Sequence, residues 1–171
     1  MNLITPVNEK DHAIGPTDAR VTVVMYGDYE CPDCQRTHRA NEKMFDQLVN
    51  RMRFVYRHFP LIKVHPRALR AAEAAEAAAA QGYFWEMHRR LYAHPDKLSD
   101  KDLHHHAREV GLDLNRFDQE ISSSTYADQI LKEYHNSIIF GITGTPTIFV
   151  NNELYTINVP LLETVKSLLG K

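Results

Sequence analysis

The sequence predicts an α/β fold in which the two ends of the chain build one sheet and the middle of the chain adds helices. Three observations support this class. Strand, helix and strand patterns follow one another in the N-terminal part. Two short β-rich segments and a helix follow in the C-terminal part, and the segment between is rich in helix-forming residues. We therefore expect a single domain of 171 residues, with a core made by 21–60 and 141–171 and an all-helical insertion at about 64–140.

The N-terminal part predicts a βαβ unit. Residues 21–27 read Val-Thr-Val-Val-Met-Tyr-Gly, an apolar, β-branched run that is typical of a buried strand. Apolar residues at helical spacing predict a helix over 33–49, and alternation predicts a second strand over 52–58. Residues 1–20 show no periodicity, and we interpret them as an extended lead-in.

The middle of the chain predicts a helical block. Residues 67–80 are almost all Ala, Glu, Arg and Leu, which are strong helix formers. Aromatic residues at 83–92 form a stripe at the spacing of a core-facing helix. Ser99 is expected to cap the next helix and Gly111 to end it. Further helices are predicted over 114–120 and 123–140.

The C-terminal part predicts a ββα unit. Thr-Ile-Phe-Val at 147–150 is a strand pattern, and Asn151 and Asn152 are turn residues. A return strand is expected over 154–157, and an amphipathic helix from Pro160 to Leu169 closes the chain.

Composition limits the classes of function. The chain is 43% hydrophobic and 25% charged, with a formal charge of −2, and its Lys and Arg residues are scattered, which argues against nucleic-acid binding. No apolar run reaches the length of a membrane span. The N-terminus lacks the basic start and apolar centre of a secretory signal. We therefore expect a cytoplasmic protein as the sequence is written, or a periplasmic or extracytoplasmic one if a signal has been removed before Met1.

The two cysteines, Cys31 and Cys34, indicate chemistry rather than structural support. A disulfide between residues three apart closes a very small loop, and the entropic gain from a crosslink grows with loop length. A zinc site would need two further ligands that are not cysteines. An inert buried pair is the other alternative, but the junction of a strand, a turn and a helix is a reactive environment for a thiol. We therefore favour a redox pair.

Thiol–disulfide exchange needs a thiolate, and the position of Cys31 favours one. An ordinary cysteine is mostly protonated at neutral pH, but the free N–H groups at the start of a helix stabilise a nearby anion. We therefore expect a depressed pKa at Cys31. Pro32 fits the first helical turn, where its missing N–H has no cost. Cys34 lies within reach of Cys31 and can resolve a mixed disulfide.

A run of three histidines, His104 to His106, is not expected to bind a metal. Adjacent residues on a helix point in different directions, so three consecutive histidines do not converge on one ion. We interpret the run as a solvated helix surface and expect no metal site in the protein.

Four sequence features resemble the DsbA-like branch of the thioredoxin superfamily. They are the strand that leads into Cys31-Pro32-Asp33-Cys34, the run Arg57-His58-Phe59-Pro60-Leu61, the Ala-rich helical insertion with Phe84-Trp85-Glu86-Met87-His88, and Gly144-Thr145-Pro146-Thr147 before a strand. Together they cover nearly the whole chain after residue 20. The resemblance implies a thioredoxin-like fold (βαβ and ββα) that carries an all-helical insertion.

The resemblance also implies a substrate site. In that family the proline that matches Pro146 is cis and lies opposite the CxxC motif. Its implied role is to keep the Thr145 backbone open as an edge for a substrate peptide. The residues alone leave cis and trans equally open. The implied partners are protein or peptide thiols and disulfides and a redox partner that recycles the pair, with no cofactor besides the Cys31–Cys34 disulfide.

Two positions depart from the family pattern. Met25 stands where many relatives carry a buried acid, so another group or water must move the proton of the second cysteine. Asp28 and Glu30 are nearer in sequence, and we interpret both as solvated turn residues. Asp33 stands where strong oxidants have His, and its negative charge opposes a nearby thiolate. We therefore predict a protein that is less oxidising than a strong DsbA oxidase.

The expected activity is that of a protein disulfide oxidoreductase, with Cys31 as nucleophile, Cys34 as resolving thiol, and Pro32 and Asp33 tuning the motif. Oxidase, reductase and isomerase use the same residues, so the direction stays open. Two alternatives remain on the same fold. One is a peptide-binding folding helper or adaptor in which the cysteines are incidental. The other is a glutathione-dependent isomerase or transferase, although relatives with that activity generally lack the paired cysteines.

Overall fold

A computed structural model of the chain describes residues 2–3, 5–156 and 159–170. These residues form two compact units. The first contains the described residues of the ranges 1–27, 36–57 and 146–171, and the second contains residues 28–35 and 58–145. The strands are β1 (His12–Ile14), β2 (Thr22–Gly27), β3 (Arg53–His58), β4 (Thr147–Val150) and β5 (Glu153–Leu154), and the helices are α1 (Pro32–Leu48), α2 (Ala68–Ala79), α3 (Phe84–Ala93), α4 (Asp100–Val110), α5 (Leu114–Ser122), α6 (Ala127–Ile139) and α7 (Leu161–Leu169).

The first unit contains a mixed five-stranded sheet in the order β1-β3-β2-β4-β5. The central strand, β2, pairs with β4 in antiparallel orientation, from Val23 opposite Val150 to Tyr26 opposite Thr147. All residues of β2 after Thr22 are buried, as expected for a central strand covered on both faces. The predicted α/β fold class is confirmed.

The N-terminal segment is more than a lead-in, and that interpretation is wrong for two parts of it. His12 to Ile14 form β1, which pairs with β3 at one edge of the sheet. At the other edge, Asn2 forms a bridge with Glu153. A strand of three residues has too few side chains to show alternation, and its pairing with β3 fixes its conformation.

Arg57 of β3 holds the N-terminal segment in place. Its guanidinium forms two hydrogen bonds with the Asp11 carboxylate, at 2.7 and 2.8 Å. It also donates to the Thr5 carbonyl at 2.9 Å and to the Tyr26 hydroxyl at 2.8 Å. A planar guanidinium suits such a two-fold contact with a carboxylate. The arginine of the Arg-His-Phe-Pro run therefore has a structural role.

The predicted turn between the last two strands is confirmed. Asn151 and Asn152 have φ values of +48° and +71°, as in the hairpin turns that match the twist of the strands. The Asn151 side chain also accepts a hydrogen bond from the backbone N–H of Thr22 at 2.8 Å. The return strand β5 is shorter than predicted, and the predicted end at Ile157 lies outside the described residues.

The second unit is built around α2. This helix contacts α3, α4, α5 and α6, and most of its alanines are fully buried, since small side chains allow helices to approach closely. In the aromatic stripe of α3, the buried side chains are Phe84, Met87, His88, Leu91 and Tyr92. The core role predicted for most of the stripe is confirmed for these residues, whereas Tyr83 is 41% exposed.

The ends of the helices are mostly as predicted. Ser99 forms a capping box with Asp102 at the start of α4, and Gly111 ends this helix with a φ of +88°. Helix α6 begins at Ala127, four residues later than predicted, because Ser124 has a φ of +50° that no α-helix accommodates. Arg70 holds this turn through a 2.7 Å hydrogen bond to the Ile121 carbonyl.

The three histidines are not all solvated. His106 is 1% exposed. Its Nε2 lies 3.0 Å from the Lys97 carbonyl oxygen, and its ring stacks on that of His94. His104 pairs with Asp118 at 2.7 Å. The prediction of a solvated surface is therefore wrong for His106, because this side of α4 faces the segment that follows α3.

Candidate active site

The Cys-Pro-Asp-Cys motif lies at the start of α1, within the second unit. The backbone N–H of Cys31 donates to the Asp28 carbonyl at 3.3 Å, and the Cys31 carbonyl accepts from Gln35 at 3.1 Å. Cys31 is therefore the residue that caps the helix, and Pro32 is its first helical residue. This matches the predicted place of the proline, since no N–H is needed there.

The two sulfurs differ in exposure and acidity. Cys31 is 5% exposed and Cys34 is fully buried, and both are free thiols. The pKa of Cys31 is lowered to about 6, mainly because the Cys34 thiol donates a hydrogen bond to it. The pKa of Cys34 is raised, first by burial and then by its interaction with Cys31. At neutral pH the pair therefore holds a thiolate at Cys31 and a thiol at Cys34.

The predicted depression of the Cys31 pKa thus has a partly different cause. The N-terminus of α1 contributes through the backbone N–H of Cys34, but the Cys34 side chain contributes more. A hydrogen bond to a charged acceptor is about twice as strong as a neutral one. The second cysteine therefore activates the first.

Thr145 lies against the Cys31 sulfur. The Cys31 sulfur is 3.6 Å from the Thr145 carbonyl oxygen, and the nearby Thr145 side chain helps to lower the Cys31 pKa. The structure thus brings Thr145 to the cysteine motif, although it follows Cys31 by 114 residues in the sequence. The cis geometry of Pro146 stays a prediction.

Pro146 belongs to the first unit and lines a cavity there. The cavity has a volume of about 260 Å³, and its walls come from α1, β4, β5 and α7. Pro146, Leu154, Pro160 and Leu161 contribute apolar surface to it. Such a concave, mostly apolar surface is typical of ligand sites.

Asp28 is not a solvated turn residue, and that interpretation is wrong. It is 2% exposed. Its carboxylate accepts hydrogen bonds from the backbone N–H of Leu61 at 2.9 Å and from that of Glu30 at 2.8 Å. It also pairs with His65 Nδ1 at 2.8 Å. The sequence signal was weak, since an Asp after a strand usually starts an exposed turn.

Aromatic and histidine side chains surround Tyr29, two residues before Cys31. The Tyr29 hydroxyl is 3.1 Å from His88 Nδ1, and the Tyr29 ring packs against Tyr92 at a centroid distance of 4.9 Å. His58 lies edge-on to the same ring and pairs with Glu76 at 2.9 Å. The insertion helices therefore support the segment that leads into the motif.

Met25, where many relatives carry an acid, is buried in β2 and lies opposite Ile148 of β4. Asp33 is exposed on the first turn of α1.

None of the helices in the described part of the chain is both long and apolar enough to cross a membrane.

An acidic thiol beside a fully buried one at the start of a helix is the arrangement of a dithiol redox protein. The thioredoxin family model matches residues 7–169, and the chain belongs to this family. Its fold is also that of solved DsbA-type proteins, which agrees with the resemblance seen in the motifs.

Solved structures resemble the chain over most of its length. A thioredoxin-like oxidoreductase from Silicibacter pomeroyi is 26% identical, with a TM-score of 0.78 over 95% of this chain and 92% of that chain. BdbD from Bacillus subtilis is 23% identical, with a TM-score of 0.76 over 94% of each chain. Wolbachia pipientis alpha-DsbA1 T172V is 20% identical, with a TM-score of 0.80 over 98% of this chain and 94% of that chain. The last two show the fold alone.

Curated relatives are longer proteins. The Na⁺/H⁺ antiporter NhaA 3 of Salinispora tropica is 44% identical over 152 residues, which are 88% of this chain and 23% of that protein. The Na⁺/H⁺ antiporter NhaA 1 of Mycobacterium sp. strain KMS is 40% identical over 156 residues, 90% of this chain and 25% of that protein. The chain thus spans about a quarter of the length of the curated relatives it matches.

Proposed function

We propose that this chain exchanges disulfides with protein dithiols through Cys31 and Cys34. The observation that carries the proposal is the asymmetry of the pair. One thiol has a pKa of about 6 and some exposure, and the other is fully buried with a raised pKa. Exchange needs one sulfur that attacks, and later leaves, as a stable thiolate. It also needs a second sulfur that resolves the mixed disulfide by forming the intramolecular disulfide.

In the oxidising direction, a substrate thiolate attacks Cys31 in the Cys31–Cys34 disulfide. The new bond joins the substrate sulfur to Cys31, and the electron pair of the broken bond goes to Cys34, which takes up a proton. A second substrate thiolate then attacks the first substrate sulfur and releases Cys31 as a thiolate. A thiolate of low pKa is a good leaving group, which favours this step. The substrate leaves oxidised by two electrons, and the pair is left reduced.

The segment Thr145-Pro146 is proposed to receive the substrate peptide. The Thr145 carbonyl lies beside the sulfur to which the substrate is joined, so a peptide in extended conformation would be held with its cysteine at Cys31. No cofactor beyond the disulfide is required, and the recycling partner is a second dithiol or disulfide protein.

The redox poise is proposed to be less oxidising than that of a strong DsbA oxidase, whose potential is about −120 mV. Asp33 between the cysteines supports this, because its charge opposes a thiolate. The compartment decides whether such a poise makes the protein an oxidase or a reductase, and an extracytoplasmic location would favour oxidation.

Insulin reduction together with the equilibrium between the protein and glutathione tests the proposal. The parent chain is expected to catalyse insulin reduction, and Cys31→Ser is expected to abolish it. In Cys34→Ser, Cys31 is expected still to attack a substrate disulfide. The mixed disulfide is then expected to accumulate, because the resolving thiol is missing. Persistence of full activity in the double variant Cys31→Ser/Cys34→Ser would favour the alternative of a peptide-binding adaptor. A potential near −120 mV would contradict the proposed poise.

A further inference from the structure

Behind the cysteine motif lies a buried acid that the proposed exchange steps do not use. The Asp28 carboxylate receives hydrogen bonds from the backbone of Leu61 and Glu30 and pairs with His65, all within 2.9 Å. Its side chain has no exposed surface, whereas that of His65 is 19% exposed. A buried carboxylate with this many partners is held in one place by the fold.

The main chain of Asp28 is joined to both cysteines. Its carbonyl accepts a hydrogen bond from the backbone N–H of Cys31 at 3.3 Å and one from the Tyr92 hydroxyl at 3.4 Å. A backbone hydrogen bond from Asp28 also acts on the Cys34 sulfur. The carboxylate is therefore fixed relative to the reacting sulfurs, and its negative charge raises the pKa of Cys31.

We propose that Asp28, held by His65, is a positioning residue whose buried negative charge sets how oxidising the Cys31–Cys34 pair is. This inference rests on the proposed function. Reduction of the disulfide leaves a thiolate at Cys31, and a fixed like charge behind that thiolate makes the reduced state less favourable. The reduced state of a strong oxidant is stabilised, so Asp28 moves the pair toward a weaker oxidant.

Burial separates Asp28 from the other two acids near the motif. Asp33 is exposed and Glu30 is partly exposed, so water and salt screen their charges. Glu30 is also turned toward another partner, since its carboxylate accepts the backbone N–H of Arg67 at 2.7 Å. The acid three residues before Cys31 is therefore expected to act on the thiolate more strongly than the acid between the cysteines.

Asp28→Asn tests this, with Glu30→Gln and Asp33→Asn as matched controls that remove the same formal charge. Asn keeps the shape of the side chain and one acceptor oxygen, which can serve one of the two backbone donors, Leu61 or Glu30. Two quantities are measured for each protein: the midpoint of thiolate formation at Cys31, followed by ultraviolet absorbance, and the equilibrium constant with glutathione. Asp28→Asn is expected to lower the midpoint and to shift the equilibrium about threefold or more toward the reduced protein. A shift no larger than that of either control would overturn the inference.

Variants of His65 distinguish the effect of the Asp28 charge on the cysteines from the effect of the Asp28–His65 contact on the loop that contains His65. His65→Gln keeps a donor and leaves the carboxylate charged, so it is expected to lower thermal stability while the equilibrium changes less than about twofold. An equilibrium shift as large as that of Asp28→Asn would show that anchoring, not charge, matters. If Asp28→Asn does not fold, His65→Lys replaces it as the test. A fixed cation beside Asp28 is expected to make the protein more oxidising than His65→Gln, and equal values would refute the role of the charge.

The experiment also distinguishes this inference from the proposed function. If the parent chain does not exchange disulfides with glutathione, the proposed function fails. The thiolate midpoint requires no substrate, so it still decides whether the Asp28 charge acts on Cys31.

Discussion

Replacement of Cys34 by alanine is expected to raise the pKa of the Cys31 thiol, because the Cys34 side chain contributes most to its depression. The parent Cys31 has a pKa of about 6, so roughly nine tenths of it is thiolate at pH 7, against a few per cent for an ordinary cysteine of pKa about 8.5. A hydrogen bond to a charged group contributes about 1.5–3 kcal/mol. Its loss corresponds to a rise of about one to two pH units, which places the variant midpoint between about pH 7 and pH 8.

The rate of alkylation of the reduced protein by iodoacetamide, measured over a series of pH values, reports this midpoint. Cys31→Ser is the control, since Cys34 alone is buried and is expected to react very slowly. Near-ultraviolet circular dichroism checks that Cys34→Ala keeps its tertiary structure. Equal midpoints for the parent and Cys34→Ala would refute the idea that the second cysteine activates the first.

Four further results are expected. Thr145→Val removes a hydroxyl that helps to lower the Cys31 pKa, so the alkylation midpoint rises, and an unchanged midpoint contradicts this. Asp33→His replaces a like charge by a group that stabilises a thiolate, and the equilibrium with glutathione shows a more oxidising protein. Because folding depresses the Cys31 pKa, its stabilisation of the reduced protein is complete above about pH 8.5 and is lost as pH falls through about 6. In urea unfolding, the stability difference between reduced parent and Cys31→Ser therefore grows by about 2 kcal/mol from pH 5 to pH 7.5, and a constant difference argues against it. Gly15→Ala destabilises the chain by more than about 2 kcal/mol in the same assay, since Gly15 has a φ of +96° and a Cβ would lie 2.0 Å from the Met52 carbonyl oxygen.

The parts of the fold that sequence patterns predicted are those in which local preference and packing agree. The apolar run of β2 and the alanines of α2 have strong propensities, and both are buried as their patterns indicate. The start of α6 could not be predicted, because Ser124 adopts its left-handed conformation in a turn that Arg70 holds from another helix. The strand β1 is likewise set by pairing with β3, a contact about 40 residues away in sequence.

The same distinction applies to the candidate site. Cys31 and Cys34 follow from the motif, and Thr145 follows from the resemblance. The burial of Asp28 follows from neither, since it depends on Leu61 and His65 in a loop more than 30 residues later. The dominant cause of the Cys31 pKa also depends on how the two sulfurs are oriented, which the spacing of the motif does not specify.

The N-terminal segment has a consequence for how the sheet avoids self-association. Residues 2 and 3 pair with residues 152 and 153 next to β5, while residues 12–14 pair with β3 on the opposite side. One short stretch thus covers unpaired backbone groups at both borders of the sheet. Uncovered borders recruit strands from other molecules. A chain that lacks the residues before 15 would therefore expose two sheet edges at once. We expect such a chain to aggregate more readily than the parent.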